Sequence, residues 1–207
     1  MAEIEAVVFD IGNVLIVWHP ERYYDQSIGE ERRKAMFAEV DLHGMTDLID
    51  AGADFHQTVA HTADTYPHWR AEIMDWADRW CELAQPAIDH SVRLLRALRK
   101  NKVPVFALSN FGVQNFPMSE AQYPFLGEFD RRYISGEMQT RKPFEQIYQM
   151  VEDDCGMAPQ SLLFTDDRTD NIATAKARGW QTHLFETPQG WADCLVDHGL
   201  LREEDAK

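Results

Sequence analysis

Four short apolar runs lie along the chain, separated by stretches with helical periodicity. The runs cover residues 7–9, 103–108, 162–164 and 182–185, and the helical stretches include SVRLLRALRKNK and NIATAKARG. Each run is largely continuous in hydrophobicity rather than alternating, which is typical of strands buried on both faces of a parallel sheet. The pattern therefore predicts an α/β protein with a parallel sheet and helices on both faces.

The segment between the first two runs, from about residue 20 to residue 86, is too long for one crossover helix. It carries the helical patterns EERRKAMFAEV, TDLIDAGADFHQTVAHTA and PHWRAEIMDWADRWCEL. Long structureless loops are uncommon, so a helical cap inserted after the first strand explains the segment better than two crossover helices and a surface loop. The predicted division is a core of residues 1–17 and 87–207 and a helical cap of residues 18–86.

The cap is also rich in aromatic residues. An apolar stripe with helical spacing is more often packing than a substrate-binding surface, so we expect these rings to pack inside the cap. The residues concerned are Trp18, Tyr23, Tyr24, Phe55, Trp69, Trp76 and Trp80.

Charge and composition exclude several classes of protein. The 207 residues carry a formal net charge of -15, which disfavours generic nucleic-acid binding. No apolar stretch approaches the roughly 18 to 20 residues of a membrane span. There is no basic leader, and Cys81, Cys155 and Cys194 have neither CxxC nor zinc-site spacing. We therefore predict a cytoplasmic protein with neither nucleic acid nor membrane as a partner.

Polar residues follow the first three runs, at the edge where ligands bind in open α/β sheets. Asp10 ends the first run, which is a costly place for a carboxylate unless it serves as a nucleophile or cation ligand; the alternative is a turn aspartate. Ser109 and Asn110 end the second run. Their hydroxyl and amide can hydrogen-bond phosphoryl or carboxylate oxygens, although Ser-Asn is also common in turns.

Two further clusters carry charge. Arg141 and Lys142 precede a proline placed to start the helix FEQIYQMVED, and they predict an anion site unless they are simply solvated. Asp166, Asp167 and Asp170 follow the third run, where their mutual repulsion calls for a cation unless the loop only caps the next helix. Oxygen ligands without His or Cys indicate Mg²⁺ rather than zinc.

Together, these motifs resemble the haloacid dehalogenase (HAD) superfamily. FDIGNV, LSN, RKP and FTDDRTDNI match its four motifs in order, over residues 4–17 and about 91–185, and the insert lies where the family carries a C1 helical cap. The resemblance implies a Rossmann-like core. FDxGNV with LSN, and ISGEMQTRKPFEQIY around the third motif, are similar to the branch that includes α-D-glucose-1-phosphate phosphatase.

The resemblance also implies roles for the core residues. Asp10 would be the nucleophile that forms an aspartyl phosphate, and Lys142 would neutralise charge on Asp10 and on the phosphoryl group. Ser109 would bind a phosphoryl oxygen. We add Asn110 and Arg141 as predicted substrate-binding residues.

A metal site is implied by the same resemblance. Mg²⁺ would be held by Asp10, the backbone carbonyl of Gly12 and Asp167, with Asp166 as a further ligand. Asn171 falls where many members carry a second acid.

The chain departs from many family phosphatases at Gly12. Those enzymes carry there a second aspartate, which protonates the leaving group and then activates water, and glycine can do neither. Such assistance is worth about 10²- to 10⁴-fold in rate. A cap residue, a good leaving group or a slow enzyme would each account for the loss. His19 is a candidate substitute, against the alternative of a structural histidine.

The predicted function is hydrolysis of small-molecule phosphomonoesters, with sugar phosphates favoured and Mg²⁺ as cofactor. One alternative is a 2-haloacid dehalogenase that uses the same Asp10 without metal; the acid pair of Asp166 and Asp167 argues against it. Another is a binding protein that has lost turnover. The sequence makes no prediction of oligomeric state.

Overall fold

The computed structural model describes residues 3–207, and a five-stranded parallel sheet forms its centre. The central strand β1 (Ala6–Phe9) lies between β4 (Val105–Ser109) and β6 (Leu162–Asp166), and β5 (Arg131–Ile134) and β7 (Gln181–Leu184) form the edges. The order β5-β4-β1-β6-β7 places the strands that precede three of the polar motifs side by side. The predicted α/β class and the Rossmann-like parallel sheet are confirmed.

Helices cover the sheet on both faces because alternate residues of β1 point to opposite sides. Val7 and Phe9 belong to a core cluster with α7 (Asp89–Lys100) and α12 (Pro188–Asp197). Ala6 and Val8 belong to a second cluster with α10 (Glu145–Cys155) and α11 (Thr169–Ala177). Two shorter helices, α8 (Asn115–Gln122) and α9 (Ser135–Met138), follow β4 and β5.

The register of the sheet brings the carboxyl ends of the central strands to one level. Phe9 pairs with Ala107 of β4 on one side and with Thr165 of β6 on the other. All residues of β1, β4 and β6 are buried, which explains their continuous hydrophobicity. Residues that directly follow these strands therefore meet at one edge of the sheet.

The prediction of four strands was incomplete. The fifth strand, β5, reads RRYI, and its two arginines are exposed. An edge strand needs only a partly apolar sequence because one side of it faces solvent, so it lacks the continuous run that marked the central strands.

Six helices lie between β1 and the next core element. An antiparallel ribbon of β2 (Ile16–Trp18) and β3 (Ala84–Ala87), also absent from the predictions, joins them to the core. The ribbon spans both predicted boundaries, and the division at residues 18 and 86 stays a prediction. The helices are α1 (Pro20–Ser27), α2 (Glu30–Glu39), α3 (Leu42–Asp50), α4 (Phe55–Thr65), α5 (Arg70–Asp78) and α6 (Trp80–Leu83).

The aromatic side chains of the cap pack together. Tyr24 and Phe55 are fully buried, and Trp69, Trp76 and Trp80 are nearly so. The Trp80 ring lies 5.5 Å from Phe55 within the cap and 5.7 Å from Phe111 in the loop after β4. These rings therefore hold the cap together and attach it to the core.

Within residues 3–207, no helix is long and apolar enough to cross a bilayer. The predicted cytoplasmic location stays a prediction.

Candidate active site

Asp10 lies directly after β1 at the carboxyl edge of the sheet and is 6% exposed. Its Oδ1 accepts a hydrogen bond of 2.7 Å from the N–H of Ile11 and one of 2.8 Å from the hydroxyl of Ser109. Ser109 is the last residue of β4, so the pairing of β1 with β4 brings together two residues that are 99 positions apart. The predicted nucleophile and the predicted phosphoryl-binding hydroxyl are thus in direct contact.

Lys142 is the cation of this site and is almost fully buried. Its Nζ lies 2.9 Å from Oδ1 of Asp10, 2.6 Å from Oδ2 of Asp166 and 2.8 Å from the carbonyl oxygen of Leu108. These three acceptors match the three donors of an ammonium group. Burial alone would lower the pKa of Lys142, but the charges of Asp10 and Asp166 outweigh burial and raise it. The lysine therefore keeps its charge inside the protein.

Asn110 holds the backbone of Lys142. The amide Nδ2 of Asn110 donates to the carbonyl oxygen of Lys142 at 3.0 Å, and the N–H of Lys142 donates to Oδ1 of Asn110 at 2.9 Å. Both ends of the Asn110 amide are therefore engaged with Lys142 and position it. The predicted contact of Asn110 with substrate stays a prediction.

The two carboxylates at the end of β6 differ in their surroundings. Asp166 is fully buried, its Oδ1 accepts a hydrogen bond from the N–H of Arg168 at 2.8 Å, and the amide of Asn171 reaches both of its oxygens at 3.0 Å. Asp167 is partly buried, and its Oδ2 accepts one hydrogen bond of 2.9 Å from Asn13. Asp166 is thus fixed by its neighbours, and Asp167 is less constrained.

Asp10, Asp166 and Asp167 repel one another. One oxygen of each lies within 4.8 Å of an oxygen of the others. Burial raises the pKa of Asp10 to about 7, opposed by Lys142 and reinforced by the other two carboxylates. Burial also raises the pKa of Asp167. A divalent cation at this point would relieve the repulsion and lower both pKa values.

The oxygens that are not used by neighbouring residues fit a hard cation. Among residues 3–207, none donates a hydrogen bond to Oδ2 of Asp10 or to the carbonyl oxygen of Gly12, and no other residue donates one to Oδ1 of Asp167. Carboxylate and carbonyl oxygens are the donors that Mg²⁺ prefers. The oxygens of Asp166 already have donors, so direct ligation by Asp166 stays a prediction.

Arg141 lies beside the cap rather than among the three carboxylates. Its Nη2 donates to Oδ2 of Asp47 in α3 at 2.7 Å, and its guanidinium lies over the ring of Phe144, 5.1 Å from the centroid. Arg141 also lines a cavity of about 550 Å³ between α3 and α4. The lining of that cavity does not include Asp10 or Lys142. Substrate binding by Arg141 stays a prediction.

Two other candidate residues, Asp170 and His19, pair with charged neighbours at the surface. Asp170 pairs with Arg168 at 2.6 Å, so it is not part of the carboxylate cluster. His19 lies 2.9 Å from Glu21 with 54% of its side chain exposed. His19 is the residue that precedes α1, and its ring contacts Glu21 in the first turn of that helix.

A family model of haloacid dehalogenase-like hydrolases matches residues 4–179, which include all of these site residues. The chain belongs to the haloacid dehalogenase-like hydrolases. The resemblance drawn from the four motifs is thereby confirmed at the level of the family, and the enzyme class is that of a hydrolase.

Two proteins are similar in sequence to this HAD hydrolase over different lengths. A D-ribitol-5-phosphate phosphatase of Bacteroides thetaiotaomicron is 25% identical over 216 residues, which cover 93% of this chain and 97% of that protein. A drimenol cyclase of Aspergillus calidoustus is 27% identical over 94 residues, or 44% of this chain. The match spans only 18% of the cyclase.

Solved structures share the fold of this HAD hydrolase. A HAD family enzyme of B. thetaiotaomicron has a TM-score of 0.76 at 23% identity, with 94% of this chain and 99% of that chain covered. The same enzyme in complex with magnesium and inorganic phosphate has a TM-score of 0.69 at 24% identity, covering 88% and 94%. L-2-haloacid dehalogenase from Xanthobacter autotrophicus, with chloropropionic acid covalently bound, has a TM-score of 0.64 at 19% identity, covering 96% and 84%.

The structure of the HAD hydrolase adds one residue to its acid cluster that the predictions did not assign. Asn13 has a positive φ of 55°, and besides its bond to Asp167 its Oδ1 accepts a hydrogen bond from the N–H of Trp18 at 2.9 Å. Asparagine is among the few residues that adopt this left-handed conformation readily, so Gly-Asn after an apolar run was the available signal.

Proposed function

We propose that this HAD hydrolase is a Mg²⁺-dependent phosphatase of small-molecule phosphomonoesters, with sugar phosphates favoured. The observation that carries the proposal is the arrangement around Asp10. Ser109 and Lys142 bond to one of its oxygens. The other oxygen accepts no hydrogen bond from the residues that the structure describes, and it lies beside an acid pair that suits a hard divalent cation. The D-ribitol-5-phosphate phosphatase relative and the magnesium and phosphate complex of the structural neighbour support the same reading.

In the first step, the carboxylate of Asp10 attacks phosphorus and the bond from phosphorus to the leaving-group oxygen breaks. The products are an aspartyl phosphate and an alkoxide leaving group, which takes up a proton and becomes an alcohol. Lys142 lies close enough to Asp10 to neutralise charge on both the carboxylate and the phosphoryl group, and Ser109 can donate to a phosphoryl oxygen. Phosphoryl transfer depends mostly on such positioning and charge stabilisation.

In the second step, water attacks the aspartyl phosphate, which releases inorganic phosphate and restores Asp10. Mg²⁺, held by Asp10, Asp167 and the carbonyl of Gly12, would offset the negative charge of the phosphoryl oxygens when bound. Asp166 accepts hydrogen bonds from both Lys142 and Asn171, and it thereby holds Lys142 in place beside Asp10.

The test is hydrolysis of para-nitrophenyl phosphate with Mg²⁺ and with a chelator. We expect turnover only with Mg²⁺, and its loss in Asp10→Asn by about 10⁴-fold or more, because the nucleophile is removed. Asp167→Asn should reduce both turnover and the rise in melting temperature that Mg²⁺ gives to the wild type. Asp193→Asn, an exposed position in α12, is the matched control for loss of a carboxylate.

The two alternatives give different results in the same experiment. Persistent hydrolysis in Asp10→Asn would contradict the nucleophile. Halide release from 2-chloropropionate without metal would favour a dehalogenase. The chain shares its fold with the dehalogenase of Xanthobacter autotrophicus. Binding of Mg²⁺ and phosphate with no turnover across a panel of phosphate esters would favour a binding protein.

A further inference from the structure

The proposed phosphatase reaction needs a proton for the leaving group, and the core side of the site does not provide one. Gly12 has no side chain. Lys142 has its three donors on Asp10, Asp166 and a backbone carbonyl, and its pKa is raised, so it serves as a fixed charge. Of the three explanations for Gly12, a donor on the cap is the one that the structure can be searched for.

The end of α3 packs closely on the loops that carry the site. A Cβ on Gly112, in the loop after Ser109, would lie 2.5 Å from Cγ2 of Ile49. A Cβ on Gly52 would lie 2.8 Å from the carbonyl oxygen of Gly136, in the segment that leads to Lys142. Asp50 is the last residue of α3 and lies between these two contact points in the chain.

Hydrogen bonds fasten the start of the next cap helix to the same loop. The amide of Gln114 donates to Oδ2 of Asp54 at 3.0 Å, and the N–H of Phe55 donates to Oε1 of Gln114 at 3.2 Å. The segments on both sides of Asp50 are therefore fixed against the loops that carry Ser109 and Lys142.

Asp50 has charged neighbours but no bonded partner. Within residues 3–207 its side chain makes neither a hydrogen bond nor an ion pair, although it is partly buried. The charges that act on it are Asp47 on its own helix, Arg141 and Lys142 from the segment before α10, and Asp10 after β1.

Three costs meet at this position. The carboxyl is partly removed from water, no residue from 3 to 207 donates a hydrogen bond to it, and it lies at the C-terminal end of a helix, where the macrodipole disfavours an anion. Burial raises the pKa of Asp50 to about 7, and Asp47 adds to that effect while Arg141 and Lys142 oppose it. Near neutral pH such a carboxyl can both give and take a proton, which is the property of an efficient acid and base.

We propose that Asp50 of the cap is the general acid and base that Gly12 cannot be. The assignment rests on the proposed phosphatase activity. The protonated carboxyl of Asp50 gives its proton to the leaving-group oxygen as the bond from that oxygen to phosphorus breaks. The resulting carboxylate then accepts a proton from the water that attacks the aspartyl phosphate, which restores the acid form. Protons and electron pairs balance over the two steps without a further reactant.

The experiment compares two substrates of nearly the same shape, para-nitrophenyl phosphate and phenyl phosphate, with Mg²⁺. Nitrophenolate leaves without a proton, whereas phenolate is a much poorer leaving group. For Asp50→Asn we expect kcat/KM to fall about 10²- to 10⁴-fold with phenyl phosphate and less than about 10-fold with para-nitrophenyl phosphate. Asp78→Asn, an exposed cap residue at the end of α5, should leave both values unchanged.

Two further measurements are specific to proton transfer. The kcat/KM of the wild type with phenyl phosphate should fall above about pH 7 as Asp50 loses its proton, and Asp50→Asn should lack this fall. Adding Gly12→Asp to Asp50→Asn should recover at least about 10-fold of the lost rate. A side chain can begin at position 12, because a Cβ on Gly12 would come no closer to other side chains than 4.0 Å, at Cβ of Trp18.

The outcomes separate the two proposals. Equal losses with both substrates in a folded Asp50→Asn protein, or no loss with either, would overturn the assignment of Asp50 and leave the phosphatase standing. No hydrolysis of either substrate by the wild type with Mg²⁺ would overturn both. Because Asp10 is also protonated at pH 6 without metal, the readout that does not depend on activity uses the metal-free Asp10→Asn protein. We expect it to show a carbonyl stretching band of a protonated carboxyl at pH 6 that is lost when Asp50→Asn is added.

Discussion

Lys142 and Asp50 are two buried or partly buried ionisable groups, one in the core and one in the cap, and each interacts with the charge of Asp10. Lys142 comes from the core and has three acceptors at 2.6 to 2.9 Å. Asp50 comes from the cap and has no hydrogen-bond or ion-pair partner within residues 3–207. The pKa of each is raised, but for Lys142 this stabilises the charged form and for Asp50 it stabilises the neutral form.

The difference separates two kinds of role. A group whose donors are all bonded has a fixed position and a fixed charge, and it can stabilise charge that appears beside it. A carboxyl whose pKa is raised by burial to near neutral pH can change its protonation state there, and it can move a proton. Lys142 must therefore keep its charge, whereas Asp50 must gain and lose a proton near neutral pH.

The largest expected effect comes from removing the charge of Lys142. Lys142→Met leaves the buried carboxylates of Asp10 and Asp166 without their cation. We expect the free energy of unfolding to fall by about 3 to 5 kcal/mol at pH 7.5 in a chelator, and phosphatase turnover to fall at least about 10³-fold. Urea unfolding and para-nitrophenyl phosphate hydrolysis measure the two effects.

Lys176→Met is the matched control, because Lys176 is exposed on α11. It should change stability by less than about 0.5 kcal/mol. The destabilisation by Lys142→Met should also shrink at pH 5, where Asp10 is protonated in the absence of metal, since its raised pKa is about 7. A variant as stable as the control at pH 7.5 would contradict the role of Lys142 as a structural cation.

A smaller effect is expected for Asp50, with the opposite sign. Its folded-state pKa of about 7 lies above the ordinary value of 3.8, so the folded protein holds this proton more tightly than the unfolded chain does. Ionisation therefore removes stability as pH rises from about 4 to about 7. We expect Asp50→Asn to gain roughly 2 to 3 kcal/mol relative to the wild type between pH 4.5 and pH 8, at 1.36 kcal/mol per pKa unit, reduced because the side chain is partly exposed.

Chemical unfolding at both pH values in a chelator measures this change. Asp78→Asn should show no such dependence on pH, because Asp78 is exposed. If Asp50→Asn is equally stable relative to the wild type at pH 4.5 and at pH 8, Asp50 is an ordinary surface carboxylate and the contrast with Lys142 disappears.

The core half of this site could be predicted from the sequence because strand ends in a parallel sheet share one edge. Asp10, Ser109 and Asp166 each end a buried run or strand, so the topology alone brings them together. Lys142 was found through its motif. Its pairing with Asp10 was expected from that motif, but its bonds to Asp166 and to the carbonyl oxygen of Leu108 were not, because they depend on how the segment before α10 folds back over the sheet.

The cap half could not be predicted in the same way. Asp50 lies in no motif, and its approach to the site depends on the close contacts at Gly112 and Gly136, which join segments far apart in the chain. The hydrogen bonds of Asn110 also join segments far apart in the chain and could not be predicted. The sequence indicated a substrate-binding residue, whereas the side-chain amide makes both of its hydrogen bonds to the backbone of Lys142. Side-chain to backbone bonds across loops leave no periodic trace in a sequence.

The smallest effect is expected for Asn110, and it tests whether the fixed position of Lys142 depends on this side chain. Asn110→Ala removes two hydrogen bonds that hold the backbone of Lys142. Within residues 3–207 it leaves the N–H of Lys142 without an acceptor, and it leaves the carbonyl oxygen with only a long bond of 3.5 Å from Arg141. We expect a loss of about 1 to 2 kcal/mol in unfolding free energy and a fall of about 10-fold in kcat with para-nitrophenyl phosphate. A residue that only positions Lys142 should change kcat, whereas a residue that binds substrate should raise KM with kcat unchanged. Asn101→Ala, at the exposed C-terminal end of α7, controls for the loss of an amide. A rise in KM alone would return Asn110 to the predicted role in substrate binding, and would mean that Lys142 keeps its place without it.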